Sequence, residues 1–381
     1  MTTIYWVRHA EAEGNLYRRC HGQYDSLVTE NGKAQILALR KRFRNIHIDA
    51  VVSSDLYRTR KTAEAVALPR KLEIKTHPGL REINLGVWED LTWCDLGRRW
   101  PELDDVFSKR PWEFDIEGGE SITETAGRGL NALKEIASEY KNQTVAVFSH
   151  GMVTRAVMAL VSGLRLDQMN ALHHGDNTSV TLIEIGGKVD IKYYADNSHL
   201  GDLSTLARQN WWRESTEGLH DDGFWYRAPE FETESHIVEA YRRDAWRTIY
   251  GTLDEYNARD LLDGAKRQAA QHPMAVVFAM NGDEIAGLLQ LDTEFELKPG
   301  AGHISFFYLE DRFRGRGLGV QLLGQAVSFF RELGRSSLAL RVSDKNTNAL
   351  RFYKKYGFTQ FGKEKGFSGK LLLLELNITQ T

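Results

Sequence analysis

The chain has 381 residues and a formal net charge of −3, with 42% hydrophobic and 27% charged residues. This balance excludes wholesale disorder and gives no electrostatic case for nucleic acid or an anionic membrane surface as a partner. Its two cysteines, Cys20 and Cys94, rule out a disulfide scaffold and favour a reducing compartment.

At roughly 150 residues per domain, the length calls for two cores. The apolar runs, such as Met274–Met280 and Leu371–Leu374, fall far short of the roughly 20 residues that span a bilayer. The opening MTTIYWVRHAEAEGN lacks the basic and apolar pattern of a signal peptide. The expectation is a cytoplasmic protein.

Taken in chain order, Ile4–Val7, Ala50–Ser53 and Thr144–Phe148 read as buried strands. Glu30–Arg44, Arg58–Ala67 and Ser121–Tyr140 carry the apolar spacing of helices. Such alternation predicts an α/β domain with helices on a largely parallel sheet. The pattern breaks over Ser198–Gly223, where WWRESTEGLHDDG (Trp211–Gly223) is polar and aperiodic. The predicted division is a first domain over 1–205, a linker over 206–222 and a second domain over 223–381.

The second half begins with two predicted helices, Glu234–Gly251 and Leu253–His272. Strands are expected at Met274–Met280, Glu284–Asp292 and Gly302–Glu310, the first two joined at Asn281-Gly282, a strong hairpin signal. A glycine-rich loop leads to a helix over Leu318–Leu333. A strand (Ser337–Val342), a short helix (Thr347–Tyr356) and a last strand (Lys370–Leu376) complete a mixed-sheet α+β domain.

Chemistry-bearing residues recur at predicted strand ends in the first half. Arg8 and His9 follow the first strand, Arg58 lies in SSDLYRTRKTA, Glu82 in LREINLGVWED, and His150 in FSHGMV. Strand ends are where open α/β sheets place ligands, and arginine forks suit phosphate oxygens. RHAEAEGN, SSDLYRTRKTA, LREINLGVWED, EGGES (Glu117–Ser121) and FSHGMV, in this order, resemble the histidine phosphatase superfamily, the phosphoglycerate-mutase-like three-layer α/β/α fold, over about residues 1–200.

That resemblance implies His9 as a nucleophile forming a phosphohistidine, with Glu82 as acid and then base. It implies that Arg8, Arg58 and His150 hold the phosphoryl oxygens, that Asn15 is a secondary contact, and that no metal takes part. Two departures stand out: Ala10 where glycine is common, and Ala12 where a hydroxyl residue often sits. Glu82 is followed by EGGES without the longer insertion of glycolytic mutases, which favours a phosphatase of small molecules over a mutase. His21 follows Asn15 in the same loop, near the expected pocket; His173 and His174 read as solvated or helix-end residues.

In the second half, Gly315, Gly317 and Gly319 sit in a strand-to-helix loop, RFRGRGLG (Arg312–Gly319), that suits an anion at a helix N-terminus. Val320 replaces the last glycine of a dinucleotide fingerprint, and no Gly-Lys-Ser/Thr follows. Arg314-x-x-Gly317-x-Gly319, then Asn346-x-x-Ala349 and Phe352-Tyr353-Lys354-Lys355-Tyr356-Gly357-Phe358, resemble the GNAT acyltransferase family over about residues 223–378.

This second resemblance implies an acyl-CoA cosubstrate, with acetyl-CoA the simplest, and an amine acceptor in a site shaped by the first two helices. Arg314, Gly315, Arg316, Gly317, Leu318 and Gly319 would hold its pyrophosphate, and Asn346 its arm. Tyr353 would protonate the departing thiolate, and Glu310 is a candidate base. The expectation is a bifunctional enzyme. The alternatives are mutase chemistry, or one domain serving as a ligand-binding module such as an acyl-CoA sensor.

Overall fold

The computed structural model describes residues 1–213 and 223–380. These form two compact units, Met1–Asp221 and Asp222–Thr381. Among the described residues no helix is long and apolar enough to cross a membrane.

In the first unit the chain runs β1 (Thr2–Arg8), α1 (Glu13–Tyr17), α2 (Glu30–Arg42), β2 (Ala50–Ser53), α3 (Tyr57–Arg70), β3 (Ile74–Thr76), α4 (Trp93–Arg99) and α5 (Pro101–Lys109). It continues through α6 (Ile122–Glu139), β4 (Thr144–Ser149), α7 (Gly151–Val161), β5 (Val180–Ile185), β6 (Val189–Asp196) and α8 (Thr205–Arg213). The sheet order is β3-β2-β4-β1-β5-β6. The first four strands are parallel; β5 and β6 close the edge as an antiparallel hairpin.

Alternation along the strands makes the three layers. Ile4, Trp6, Val145 and Val147 pack one sheet face against Ala132, Leu133 and Ile136 of α6 and Val153 and Val157 of α7. Val7, Val51, Ala146 and Phe148 pack the other against Leu39 of α2 and Ala63 and Val66 of α3. A strand apolar at every position is what a sheet covered on both sides requires. The register puts Val7 beside Phe148 and Arg8 beside Ser149, so β1 and β4 end side by side.

The second unit runs β7 (Trp225–Arg227), α9 (Phe231–Tyr250), α10 (Ala258–Gln271), β8 (Val276–Asn281), β9 (Glu284–Asp292), β10 (Ala301–Leu309) and α11 (Gly319–Glu332). It ends with β11 (Ser337–Ser343), α12 (Thr347–Lys355), β12 (Thr359–Gly366) and β13 (Gly369–Asn377). Its sheet order is β12-β13-β11-β10-β9-β8-β7, antiparallel except for β10 with β11.

Some expectations need correcting. The second unit does not open on a helix, because β7 precedes α9 and pairs with β8. The helix expected from Leu253 starts at Ala258, where the Asn257 side chain accepts the Asp260 amide and caps it. Strands β3, β5, β6 and β12 were not foreseen; β12 is an edge strand with no buried residue, and so has no apolar alternation. The segment taken as a linker, 206–222, begins inside α8; its remainder, 214–222, lies outside the described residues.

Candidate active sites

The first site forms where three parallel strands end together. His9 follows β1, Ser54 follows β2, and His150 follows β4 as the residue preceding α7. Both histidines are buried, and their rings lie 5.2 Å apart between centroids. The His9 Nδ1 lies 2.7 Å from the Ala10 carbonyl oxygen. As that oxygen only accepts, Nδ1 carries the hydrogen and the Nε2 lone pair is left for chemistry. Burial and the nearby guanidinium groups of Arg58 and Arg8 push the His9 pKa well below the usual histidine value. Burial, followed by Arg58, does the same for His150.

The arginines are fixed by carbonyls rather than by carboxylates. Arg58, 1% exposed, donates through Nη1 to Tyr24 O (2.8 Å) and through Nη2 to Gly22 O (2.6 Å). Arg8 donates through Nη1 to Gly175 O (2.5 Å), and its buried Nε has no partner among the described residues. His150 Nε2 is 2.9 Å from Ser54 Oγ, while its Nδ1 is also buried and unpartnered. Two cations and an imidazole with unused donors make a cradle for an oxyanion.

Glu82 joins them from the loop after β3. Its Oε2 accepts the amide of Met152, and its Oε1 those of Val153 and Ile83, each at 3.0 Å. The carboxylate thus caps the first turn of α7, where the helix dipole is positive. It also exerts its charge on Arg8 and Arg58. So Arg8, His9, Arg58, Glu82 and His150 come together, although 142 positions separate the first from the last.

Asn15 is adjacent but occupied. Its Oδ1 accepts the Ala12 amide (3.1 Å), and Asn177 Nδ2 reaches it at 3.3 Å. Ala10, the departure from glycine, is fully buried, and its amide donates to Thr62 Oγ1. His21 packs on Tyr24 and bonds to Asp90, within electrostatic reach of His9. His173 lies against Tyr194, and His174 is within 3.0 Å of Arg155 Nη1.

Sequence reasoning missed Ser54, Thr62, Glu89 and Asn177. Asn177 donates to the His9 carbonyl (3.0 Å). Glu89 accepts the amides of Gly22, Gln23 and Tyr24, the loop whose carbonyls hold Arg58. Glu89 lay in the quoted acidic motif, and Ser54 and Thr62 in SSDLYRTRKTA; for Asn177, a polar run before a strand was the sole signal.

The second site lies where β10 and β11 part. They pair only from Ala301 with Ser337 to Ile304 with Leu340, and a bulge between Ile304 and Phe306 shifts the β9 register just there. Beyond this point two adjacent parallel strands run without a ladder, toward the starts of α11 and α12. The loop between β10 and α11 takes left-handed turns at Gly315 (φ 74°) and Gly317 (φ 77°), conformations that favour glycine. The backbone amides of Gly315, Gly317 and Leu318 donate to no described group. At Gly319, which begins α11, a Cβ would stand 3.2 Å from the Phe352 ring of α12, so the start of α11 lies against α12.

Arg314 stands at this loop, bonded to Leu309 O (2.7 Å), paired with Asp311 and lying over the Tyr308 ring. Arg316 is exposed; Leu318 is buried. Asn346 is the N-cap of α12, its side chain accepting the Ala349 amide at 3.1 Å. Tyr353 is 7% exposed, ringed by Phe307, Phe352 and Phe358. Burial raises its phenol pKa, and its hydroxyl has no partner among the described residues. Glu310 is engaged on both oxygens, by the Tyr241 hydroxyl (2.5 Å) and by Arg312 Nε (2.8 Å).

Comparison with known proteins assigns the two units separately. Residues 4–196 match the histidine phosphatase superfamily (branch 1), and residues 210–358 match the acetyltransferase (GNAT) family. Phosphoserine phosphatase 1 of Hydrogenobacter thermophilus is 31% identical over 210 residues, 55% of this chain and 99% of the relative. The metal-independent phosphoserine phosphatase of Arabidopsis thaliana is 33% identical over 215 residues, 55% of this chain and 87% of the relative. The solved structure of Bacillus stearothermophilus YhfR is 33% identical with a TM-score of 0.51, covering 52% of this chain and 99% of that one.

Proposed function

Because the chain belongs to the histidine phosphatase superfamily and carries a GNAT acetyltransferase domain behind it, we propose that it hydrolyses a small phosphomonoester through a phosphohistidine and transfers an acyl group from acyl-CoA to an amine. One observation carries the first half. A neutral imidazole, its Nδ1 pinned by Ala10 O, sits between two arginines and a second buried histidine.

His9 Nε2 attacks phosphorus as the bond to the leaving oxygen breaks, and Glu82 supplies that oxygen with a proton. Oε2 of Glu82 accepts a single amide, so it keeps a lone pair that can carry the proton. Arg8, Arg58 and His150 offset the charge spread over the equatorial oxygens, the main requirement of phosphoryl transfer. Glu82 then takes a proton from water, whose oxygen displaces His9 from phosphorus and releases phosphate. No step calls for a metal.

The names of the relatives favour phosphoserine or a similar phosphorylated amine as substrate. The deciding experiment follows phosphate release from a panel containing phosphoserine and phosphoglycerates. The wild type is expected to release phosphate and to trap label on His9, and His9→Ala to keep at most about 0.1% of the activity. Equal turnover by both proteins would refute the mechanism; transfer between positions without release would identify a mutase.

For the second half, the free amides of Gly315, Gly317 and Leu318 support the pyrophosphate of an acyl-CoA, together with Arg314, Arg316 and Gly319. Asn346, at the start of α12, would face the coenzyme arm. The amine lone pair attacks the thioester carbonyl, the carbon–sulfur bond breaks, and Tyr353 protonates the departing thiolate. Its raised pKa keeps the phenol protonated until then. Glu310 takes the proton lost by the amine, through water, since Tyr241 and Arg312 already hold its oxygens.

Acetyl-CoA is expected to raise the melting temperature of this unit, and Tyr353→Phe to lower kcat about 10²-fold with binding retained. Absence of any stabilisation would remove the acyltransferase reading. Binding without turnover would instead make this unit an acyl-CoA sensor.

A further inference from the structure

Helix α9 carries a half-buried arginine, Arg242, that no carboxylate contacts among the described residues. Val238, Tyr241 and Ala245 turn one face of α9 toward the sheet. On the neighbouring face stand Arg242 and Trp246, one turn apart. The Arg242 guanidinium lies over the Phe306 ring, 4.4 Å from its centroid, and Nη2 donates to Gln290 Oε1. Gln290 passes the bond on, its Nε2 donating to Gln268 Oε1 at 2.5 Å.

Gln268 Nε2 in turn donates to Asp292 Oδ2 at 2.7 Å, so the relay ends on a carboxylate two amides away from the guanidinium. Among the described residues Arg242 forms no ion pair, whereas Arg227, Arg312 and Arg341 of the same unit each hold a carboxylate. Its Nε is buried without an acceptor, and so is the indole Nε1 of Trp246. Burial lowers the Arg242 pKa to about 10, which leaves the group cationic near neutral pH. A guanidinium with a buried, unbonded Nε and no carboxylate in contact, beside a second buried donor without an acceptor, is the arrangement that an anion bridging both would complete.

The position of the pair relates it to the reaction. Phe306 and Phe307 are successive residues of β10, immediately past its bulge. Phe306 meets Arg242 on one face of the sheet, while Phe307 meets Tyr353 edge-on at 6.1 Å on the other. A molecule anchored at Arg242 therefore lies across one strand from the tyrosine, beside the opening between β10 and β11. Tyr250, Tyr256 and Phe367 pack around Trp246 at ring distances of 4.7, 5.8 and 5.6 Å and give the anchor an apolar wall.

We propose that the amine acceptor carries an oxyanion, a carboxylate or a phosphate, and that Arg242 with the Trp246 indole binds it. This deepens the acyltransferase reading and rests on it. The test measures CoA release by the full chain with acetyl-CoA and three sets of amines: amino carboxylates, their uncharged carboxamides, and aminoalkyl phosphates.

An anionic acceptor is expected to exceed its neutral counterpart in kcat/KM by about tenfold or more. Arg242→Met should erase most of that ratio and Arg242→Lys restore part of it, with acetyl-CoA binding preserved in both. Comparing the carboxylate and phosphate sets identifies which anion is read. Equal use of charged and uncharged amines, equal losses for both in Arg242→Met, or no turnover of any anionic amine by a protein that binds acetyl-CoA would each overturn the inference. Failure to bind acetyl-CoA would overturn the acyltransferase reading itself.

Discussion

Two histidines that water would leave partly protonated near pH 6.5 are held neutral in the first unit, by burial and by the arginines around them. This has a consequence for stability. Below about pH 6.5 the unfolded chain takes up protons at both positions that the folded state refuses. Stability is therefore full above that pH and falls as pH drops toward the lowered folded values, by up to about 1.4 kcal/mol per pH unit for each histidine. Melting temperatures between pH 7.5 and 5.5 should decline more steeply for the wild type than for His150→Asn; parallel declines would sink this account. Glu82→Gln should lower kcat about 10²–10⁴-fold for an alkyl phosphate. With nitrophenyl phosphate the first burst of nitrophenolate should fall much less, because that leaving group needs no proton, while later hydrolysis of the phosphohistidine still needs the base. At this scale the charged residues were legible because their types and order carry the family motifs. Ser54 and Thr62, though inside SSDLYRTRKTA, and Asn177 were not singled out, since a hydroxyl or amide becomes functional only through the groups it meets in the fold.

Elements show how the charged groups are kept in place. The loop Gly22–Tyr24 is held from both sides: its amides donate to Glu89, and its carbonyls accept from Arg58. Glu89→Ala leaves these amides without their acceptor, which should cost about 2 kcal/mol or more. It should also raise KM for the phosphomonoester more than it lowers kcat, as steady-state kinetics would show. At α12, Asn346→Ala removes a side-chain cap and should cost about 1 kcal/mol in thermal melting. If Asn346 also meets the coenzyme, KM for acetyl-CoA rises by more than that loss of stability explains. Many elements were legible as apolar runs or helical spacing, for example β4, an apolar run whose Val145 and Val147 face one helix layer and Ala146 and Phe148 the other. Strand β12 was not, because an edge exposed along its length has no core to encode.

Over the whole molecule, each unit closes its own sheet and its own core. Orthovanadate, a phosphoryl mimic, is expected to stabilise the first unit and acetyl-CoA the second in differential scanning calorimetry. His9→Ala should leave acyl transfer unchanged, and Tyr353→Phe should leave phosphate release unchanged. A near-neutral sum of −3 conveyed none of this, because anion binding in each unit depends on a few placed groups. By itself the sequence determined the order and type of most elements and the motifs of both families, since periodicity and motif spacing are local properties. Only the tertiary structure decided that Glu82 caps α7 from 70 positions away. It likewise decided that Asn15 and Asn346 serve their own helices, and that no carboxylate among the described residues contacts Arg242. Those outcomes depend on which donor meets which acceptor across the fold, and distant pairing is not written in local pattern.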